Sequence, residues 1–225
     1  MANIREIQTR INSVKDTMKI TNAMYMISST KMRQAKKKLA ESEPYFYGLQ
    51  GEISRILRHM PEIEHLYFDK REEIPKEKRK IGSIVITADK GLAGAYNHNI
   101  VKVEDELLKE PGEHKLFVVG ELGRHYYANK GVKIDTNFLY TVQKPTMHRA
   151  RDIAEEIFSQ FREGELDEVY IVYTRMENSM LTMVEKMKIL PLERSSFNEM
   201  KMPINIHREA IALYPSAEAV LDSIV

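Results

Sequence analysis

The sequence predicts a mixed α/β protein in which a long amino-terminal coiled-coil helix precedes a layered α/β domain. Three observations predict this fold. Apolar residues recur at alternating steps of three and four over the first sixty positions. From Ile81 onward, short β-branched runs alternate with amphipathic helical patterns, which is typical of a mostly parallel sheet. Only residues 174–180 separate the last two strand-like runs, too few for a parallel crossover, so the final strand should be an antiparallel edge strand.

The first element is a helix of about sixty residues, which at about 1.5 Å per residue would be roughly 85 Å long. Its apolar seam, interrupted only by two hydroxyl residues, comprises Ile4, Ile7, Ile11, Val14, Met18, Thr21, Tyr25, Ser28, Met32, Ala35 and Leu39, and resumes at Phe46, Leu49, Ile53, Ile56 and Met60. Pro44, Gly48 and Gly51 predict a bend. A domain of this size cannot bury so long a seam, so we expect a second long helix or a partner that wraps it.

The same segment is strongly basic. Residues 1–40 contain nine basic and two acidic residues, a charge of +7, although the whole chain carries only +1. Such asymmetry is typical of a docking surface for acidic material, which includes nucleic acid, anionic lipid and acidic protein. A solvated helix face is the alternative interpretation.

The remaining elements follow from local patterns and stop signals. The charged residues 69–80 predict a solvated link to the α/β domain. Strands are expected at 81–88, 115–119, 132–134, 169–173 and 181–189, with helices at 100–108, 122–126 and 147–161 between them. Ser216 is the expected N-cap of a final helix. The predicted domains are a shaft at 1–60, a linker at 61–80, an α/β domain at 81–213 and the start of a carboxyl-terminal helix at 214–225.

Motifs for catalysis or metal binding do not stand out. The chain has no cysteine, and its seven histidines lack metal-ligand spacing. The turn containing Asp89, Lys90, Gly91 and Gly94 follows a strand and precedes a helix, as a phosphate cradle would, but its G-x-x-G spacing favours a structural turn. We therefore expect no catalytic residue, no metal and no cofactor. The sequence contains no run of about 18 consecutive apolar residues, so it predicts no membrane span.

Two functional classes remain open at this point. One is a structural or mechanical subunit, with the basic helix held inside a larger assembly. The other is a nucleic-acid-associated or small-molecule-binding α/β protein whose basic helical arm touches phosphates. Nucleic-acid arms generally interleave aromatic residues or favour arginine. Here the segment from Lys31 to Lys38 is rich in lysine, and only Tyr25 is aromatic before residue 45, which favours the first class.

Specific segments resemble the γ subunit of F-type ATP synthase. Lys15 to Ala35 (KDTMKITNAMYMISSTKMRQA), with the preceding ANIREIQTRINSV, resembles the amino-terminal helix of that family. ITADKGLAGAYNHNI is similar to the family segment S-D-R-G-L-C-G-x-x-N, with Lys90 in place of Arg and Ala93 in place of Cys. Residues 165–193 resemble the family's later strand and its exit, and YPSAEAVLDSIV resembles the entry to its carboxyl-terminal helix. The family's M-K-x-A-T-D-N-A segment is absent.

The resemblance implies a non-catalytic rotor in the central stalk of a proton-translocating ATP synthase, which couples c-ring rotation to ATP synthesis or hydrolysis in a ring of α and β subunits. It further implies a Rossmann-like foot domain beside the ε subunit and the c-ring, no nucleic acid, and a peripheral location on the cytoplasmic face of a bacterial membrane. The implied contacts within the α/β ring are Lys19, Ile20, Thr21, Ala23, Met24 and Met26. Three basic residues would face acidic lever segments of the β subunit: Lys31, Arg33 and Lys36. Asp89, Lys90, Gly91 and Gly94 would form a structural turn of the foot.

Overall fold

The computed structural model describes residues 3–138, 142, 145–178, 181–198 and 212–225. The chain divides into two compact units, one comprising Met1–Pro61 with Phe197–Val225 and the other Glu62–Ser196. The second unit begins some twenty residues earlier than the predicted α/β domain, because the predicted linker packs within it. Residues 199–211, which the sequence assigns to the end of that domain, lie outside the described residues.

Helix α1 (Ile4–His59) confirms the predicted long amino-terminal helix. Asn3 begins it as N-cap, since its side-chain oxygen accepts a hydrogen bond from the backbone N–H of Arg5 at 3.3 Å. The helix runs unbroken through Pro44, where the sequence predicts a bend. A proline removes one backbone hydrogen bond from a helix. Here the hydrogen bonds of the flanking turns maintain the helix.

Only the carboxyl-terminal end of α1 is buried, at Ile53, Ser54, Ile56 and Leu57. The Ser54 hydroxyl donates a hydrogen bond to the backbone carbonyl of Phe197 at 2.8 Å. That carbonyl belongs to a short helix, α5 (Arg194–Asn198), which the sequence pattern does not predict. The last helix, α6 (Ala217–Ile224), begins at the predicted cap, because the Ser216 hydroxyl accepts from the N–H of Ala219 at 3.2 Å.

The second unit is built on a five-stranded sheet of order β3-β2-β1-β4-β5. Its strands are β1 (Lys80–Ile86), β2 (Glu113–Val119), β3 (Ile134–Phe138), β4 (Glu168–Met176) and β5 (Thr182–Leu190). The first four strands are parallel, and β5 pairs antiparallel with β4 at one edge, as predicted. The third strand begins at Ile134 rather than Val132. The short connection between β4 and β5 was sufficient to predict the edge strand's direction.

Helices α2 (Tyr96–Leu107), α3 (Glu121–Asn129) and α4 (Met147–Arg162) alternate with the strands. A core on one face of the sheet comprises Val85, Ile100, Val101, Leu116, Val118, Tyr127 and Val172. Because successive strand residues point to opposite faces, Gly82 lies on the other face. A Cβ there would lie 3.1 Å from the Leu166 methyl carbons, so this side of the sheet is also closely packed.

Most of the charged residues 69–80 between α1 and β1 are exposed, as their composition predicts, and Arg71 is the buried exception. Two 3₁₀ turns, Leu66–Phe68 and Lys76–Lys78, give the segment between α1 and β1 regular structure. Arg71 is buried, and its guanidinium donates to Asp167 Oδ1 at 2.7 Å and to the carbonyls of Leu166 and Phe161 at 2.6 and 2.7 Å. The burial of Arg71 was not predicted, because a buried, paired arginine has the same sequence signature as a solvated one.

Within the part of the chain that the structure describes, no helix is both long and apolar enough to cross a membrane. Although α1 has sufficient length, charged residues recur along it.

Candidate partner interface

The candidate interface is the surface of α1 from residue 3 to residue 48. Every residue in this stretch except Ser29 is exposed. Large apolar side chains share this exposure, which is 70% for Met26, 73% for Tyr25 and 80% for Ile4. Residues 4–39, which the sequence predicts as a seam, are therefore uncovered by any other described part of the chain. Apolar area of this extent is typical of a surface that is buried against partners.

The predicted ring-contact residues are spread over more than half of the helix circumference. Because an α-helix advances about 100° per residue, the six residues Lys19, Ile20, Thr21, Ala23, Met24 and Met26 span about 220° around its axis. Met26 and Met24 are separated by roughly 160° on this geometry. A single neighbouring helix covers one side only. This distribution instead suits a partner that encircles the shaft.

Several threonine hydroxyl groups along the interface are satisfied by α1 itself. Thr17, Thr21 and Thr30 each donate to the backbone carbonyl four residues earlier at 2.9 Å. Ser13, Thr17 and Met26 provide those carbonyls. Such bonds leave the methyl group of threonine as its outer surface. The surface of the interface is therefore more apolar than its residue types alone indicate. These hydroxyl groups require no hydrogen-bond donor or acceptor from a partner.

Basic residues lie next to the apolar stretch. Lys31, Arg33 and Lys36 are exposed, and none forms a described salt bridge. By contrast, Lys19 is paired with Asp16 at 3.0 Å. A surface cation that is not paired within its own chain gives up no ion pair when it binds a carboxylate on another chain. These three residues can attract an acidic segment.

The turn after β1 belongs to the α/β unit and is fixed by contacts within it. Asp89 Oδ1 accepts from the backbone N–H of Glu121 at the start of α3, at 3.3 Å. Asn97 Oδ1 accepts from the N–H of Ala88 at 2.9 Å. Lys90, Gly91 and Gly94 are exposed, and Gly94 has a φ of +56°. These contacts support the structural interpretation of the turn, which stays a prediction.

A neighbouring glycine gives a sharp test of this packing. Gly120 has a φ of +112°, and a Cβ on it would overlap the Thr87 carbonyl oxygen. We expect Gly120→Ala to lower the free energy of unfolding of the α/β unit by about 3 kcal/mol, through steric overlap and backbone strain. Urea denaturation followed by circular dichroism measures this change.

Gly91→Ala is the matched control for that substitution. No atom lies within 4 Å of its added methyl group, and Gly91 is not among the glycines of positive φ. The expected change is within about 0.5 kcal/mol. Equal effects of the two substitutions would contradict the described packing of the turn.

The long exposed helix and its folded α/β unit together define a class of protein: a subunit whose principal surface is completed by other chains. Comparison with known proteins identifies the family within this class. The ATP synthase family matches residues 3–225. The chain is 38% identical over 228 residues to the ATP synthase gamma chain of Caldanaerobacter subterraneus subsp. tengcongensis, covering 98% of this chain and 77% of that relative. It is 40% identical over 211 residues to that of Acetivibrio thermocellus, with 94% and 70% covered.

This chain belongs to the ATP synthase gamma-chain family. A gamma chain described as sodium ion specific, from Acetobacterium woodii, is 34% identical over 84% of this chain and 61% of that relative. The fold is similar to a chain in the central stalk and c-ring of the Tetrahymena thermophila mitochondrial ATP synthase, with a TM-score of 0.61 at 21% identity and coverage of 91% and 84%. The alternative of a nucleic-acid-associated protein finds no support among these relatives.

Proposed function

We propose that α1 is the shaft of a central-stalk rotor subunit in an F-type ATP synthase. One observation carries this proposal: in a chain of the gamma family, the helix exposes apolar side chains on all sides from residue 4 to residue 47. The partners of this surface would be the α and β subunits, arranged as a ring around it. The α/β unit would then be the foot, in contact with the ε subunit and the membrane c-ring.

The shaft would couple rotation to chemistry by differential contact. Its sides carry different residues, so it touches equivalent β subunits differently at each angle and favours a different conformation in each. The coupling is reciprocal. Rotation imposed from the c-ring changes nucleotide affinity at the β subunits, and nucleotide-driven closure changes the angle that the shaft prefers. The chain itself would perform no catalysis, and it would reach the cytoplasmic face of a bacterial membrane through its complex.

The proposed ring contacts divide by chemistry. Ile20, Met24 and Met26 would supply apolar area, and Thr21 and Ala23 would allow close approach because their outer surfaces are small. The Thr21 hydroxyl is already bonded to the Thr17 carbonyl at 2.9 Å, so it can face an apolar wall without a desolvation penalty. Lys19 would remain paired with Asp16 in the ring.

The basic residues Lys31, Arg33 and Lys36 would attract acidic segments of the β subunits. Charges at the rim of an interface act mainly on the association rate. We expect K31E/K36E to slow binding of the chain to an α/β assembly at least about tenfold at low ionic strength, since attraction becomes repulsion. The difference should shrink as salt is added. Stopped-flow fluorescence at several salt concentrations measures both effects.

K102E/K109E is the matched control, because it makes the same change in net charge at exposed positions of α2 and the residues after it. It should leave the association rate within about twofold of the original. Equal slowing by both variants would indicate that only net charge matters and would contradict the proposed role of Lys31 and Lys36.

The test of the function itself is reconstitution. The chain should bind purified α and β subunits and alter their ATPase activity, while showing none alone. Retention on DNA with a steep salt dependence, without binding to α and β, would favour the nucleic-acid alternative instead.

A further inference from the structure

Glu104 is a carboxyl group buried inside the α/β unit. Its side chain is fully inaccessible, although it lies on α2 between Ile100 and Leu107 on the helix's apolar stripe. Oε1 accepts a hydrogen bond from the Ser83 hydroxyl at 2.5 Å, and Oε2 has no protein partner. A carboxylate in this position would therefore be largely unsolvated, and an unsolvated charge is costly.

The groups around Glu104 do not neutralise it. From α3, the Tyr127 side chain is also fully buried, and its hydroxyl has no protein partner either. From β4, Tyr170 lies beside Ser83 in the sheet register, and its hydroxyl donates to Glu168 at 2.7 Å. These neighbours are uncharged at neutral pH or are committed to other residues.

The nearby charges are also paired elsewhere. Lys186 on β5 forms a salt bridge with Glu110 at 2.9 Å. Asp105, the next residue of α2, accepts from Lys130 at 2.6 Å and from the Tyr126 hydroxyl at 2.9 Å. No described salt bridge includes Glu104, so its charge would have only distant compensation.

Burial is the main influence on this group, and it raises the pKa of Glu104 to about 7. The Ser83 hydrogen bond lowers the pKa, the charge of Asp105 raises it, and Lys186 lowers it. The net direction follows from desolvation of the charged form.

We propose that Glu104 is a proton-carrying residue of the α/β unit, held as the neutral acid while α2 packs on the sheet and ionised when α2 separates from it. Separation of this helix then releases one proton, and a rise in pH favours separation. The folded unit binds this proton more tightly than the unfolded chain does. The contribution of Glu104 to the stability of the unit is therefore greatest below pH 4.5, the ordinary pKa of a glutamate, falls as the pH rises towards 7, and changes no further above that. This proposal is independent of the rotor function.

Hydrogen exchange of the α2 amides in the full chain tests the proposal, with E104Q as the variant. Glutamine keeps the shape of the neutral acid and cannot ionise. Intrinsic exchange rates are the same in both proteins. The ratio of the protection factors of E104Q and the original chain therefore reports the titration of Glu104 alone. Protection of E104Q relative to the original chain should increase on the order of fiftyfold between pH 5 and pH 8. E106Q, an exposed position on the same helix, should show no such change.

A carbon-13 titration of the glutamate carboxyl groups provides a direct second measurement on the unsubstituted chain. One resonance should titrate near neutral pH, and S83A should move its midpoint upward because that substitution removes the hydrogen bond to the charged form. A flat protection ratio, or no glutamate titrating above pH 6, would overturn the proposal. Both expected results remain possible if the chain fails to bind α and β subunits, so the two proposals fail separately.

Discussion

Replacing Arg71 with methionine is expected to destabilise the α/β unit by about 3 to 5 kcal/mol, because it leaves a buried carboxylate without its partner. Asp167 would keep only the hydrogen bond from the Lys80 backbone N–H, at 2.9 Å. The carbonyls of Phe161 and Leu166 would each lose the guanidinium as a donor, and the Phe161 ring would lose its contact with that group, which lies 4.4 Å from the ring centroid. Guanidinium denaturation with a probe in the α/β unit measures the change.

Two further variants make this expectation specific. R175M removes an arginine that is paired with Glu185 at 2.8 Å but is 56% exposed, so its cost should be below about 1 kcal/mol. R71M/D167N should be more stable than the sum of the single effects predicts, since removing the charge of Asp167 relieves part of the penalty. If R71M costs no more than R175M, the ion pair of Arg71 is not a structural anchor.

The second large effect concerns the shaft. I20D/M24D should weaken binding of the chain to an α/β assembly by more than about a hundredfold, because two carboxylates would be buried against an apolar wall without partners. Both residues are exposed in the isolated chain, so the fold should be unchanged. Titration calorimetry measures the affinity, and circular dichroism verifies that helix content is retained.

Leu92→Asp is the control for added charge at an exposed apolar position. Leu92 is 91% exposed and lies in the turn after β1, outside the shaft. The L92D variant should bind the α/β assembly with unchanged affinity. Retained affinity in I20D/M24D would contradict the proposal that these residues contact the ring.

Periodic features of the sequence were sufficient to predict most of the fold. The apolar residues at steps of three and four from Ile4 to Met60 predict α1, because this periodicity is a local property of a single helix. The edge direction of β5 follows from the length of a single connection. The beginning of β3 was less predictable, since Val132 to Ile134 is too short a run to mark a strand boundary.

Buried charges were not predictable in the same way. Arg71 lies in a charged run, and its partner Asp167 is 96 residues away, so nothing local distinguishes it from a solvated residue. Glu104 did carry a signal. It occupies the position between Ile100 and Leu107 where the helical pattern requires an apolar residue, and a carboxylate on such a stripe indicates a buried acid.

The interface itself was predicted through composition and resemblance. The basic excess of residues 1–40 indicates an acidic partner but not its kind. That the apolar residues would be exposed on every side of α1, rather than along one seam, required the structure. Such exposure is typical of a surface that is buried against partners.

As the proposed rotor, this chain would turn within a ring of catalytic subunits. Because the chain has no cysteine, Lys90→Cys in the exposed turn of the α/β unit provides a single attachment point for an optical probe. With the α/β ring of the assembled complex fixed to a surface, ATP should make the probe rotate in one direction. A probe that remains stationary while the immobilised complexes hydrolyse ATP would contradict the account.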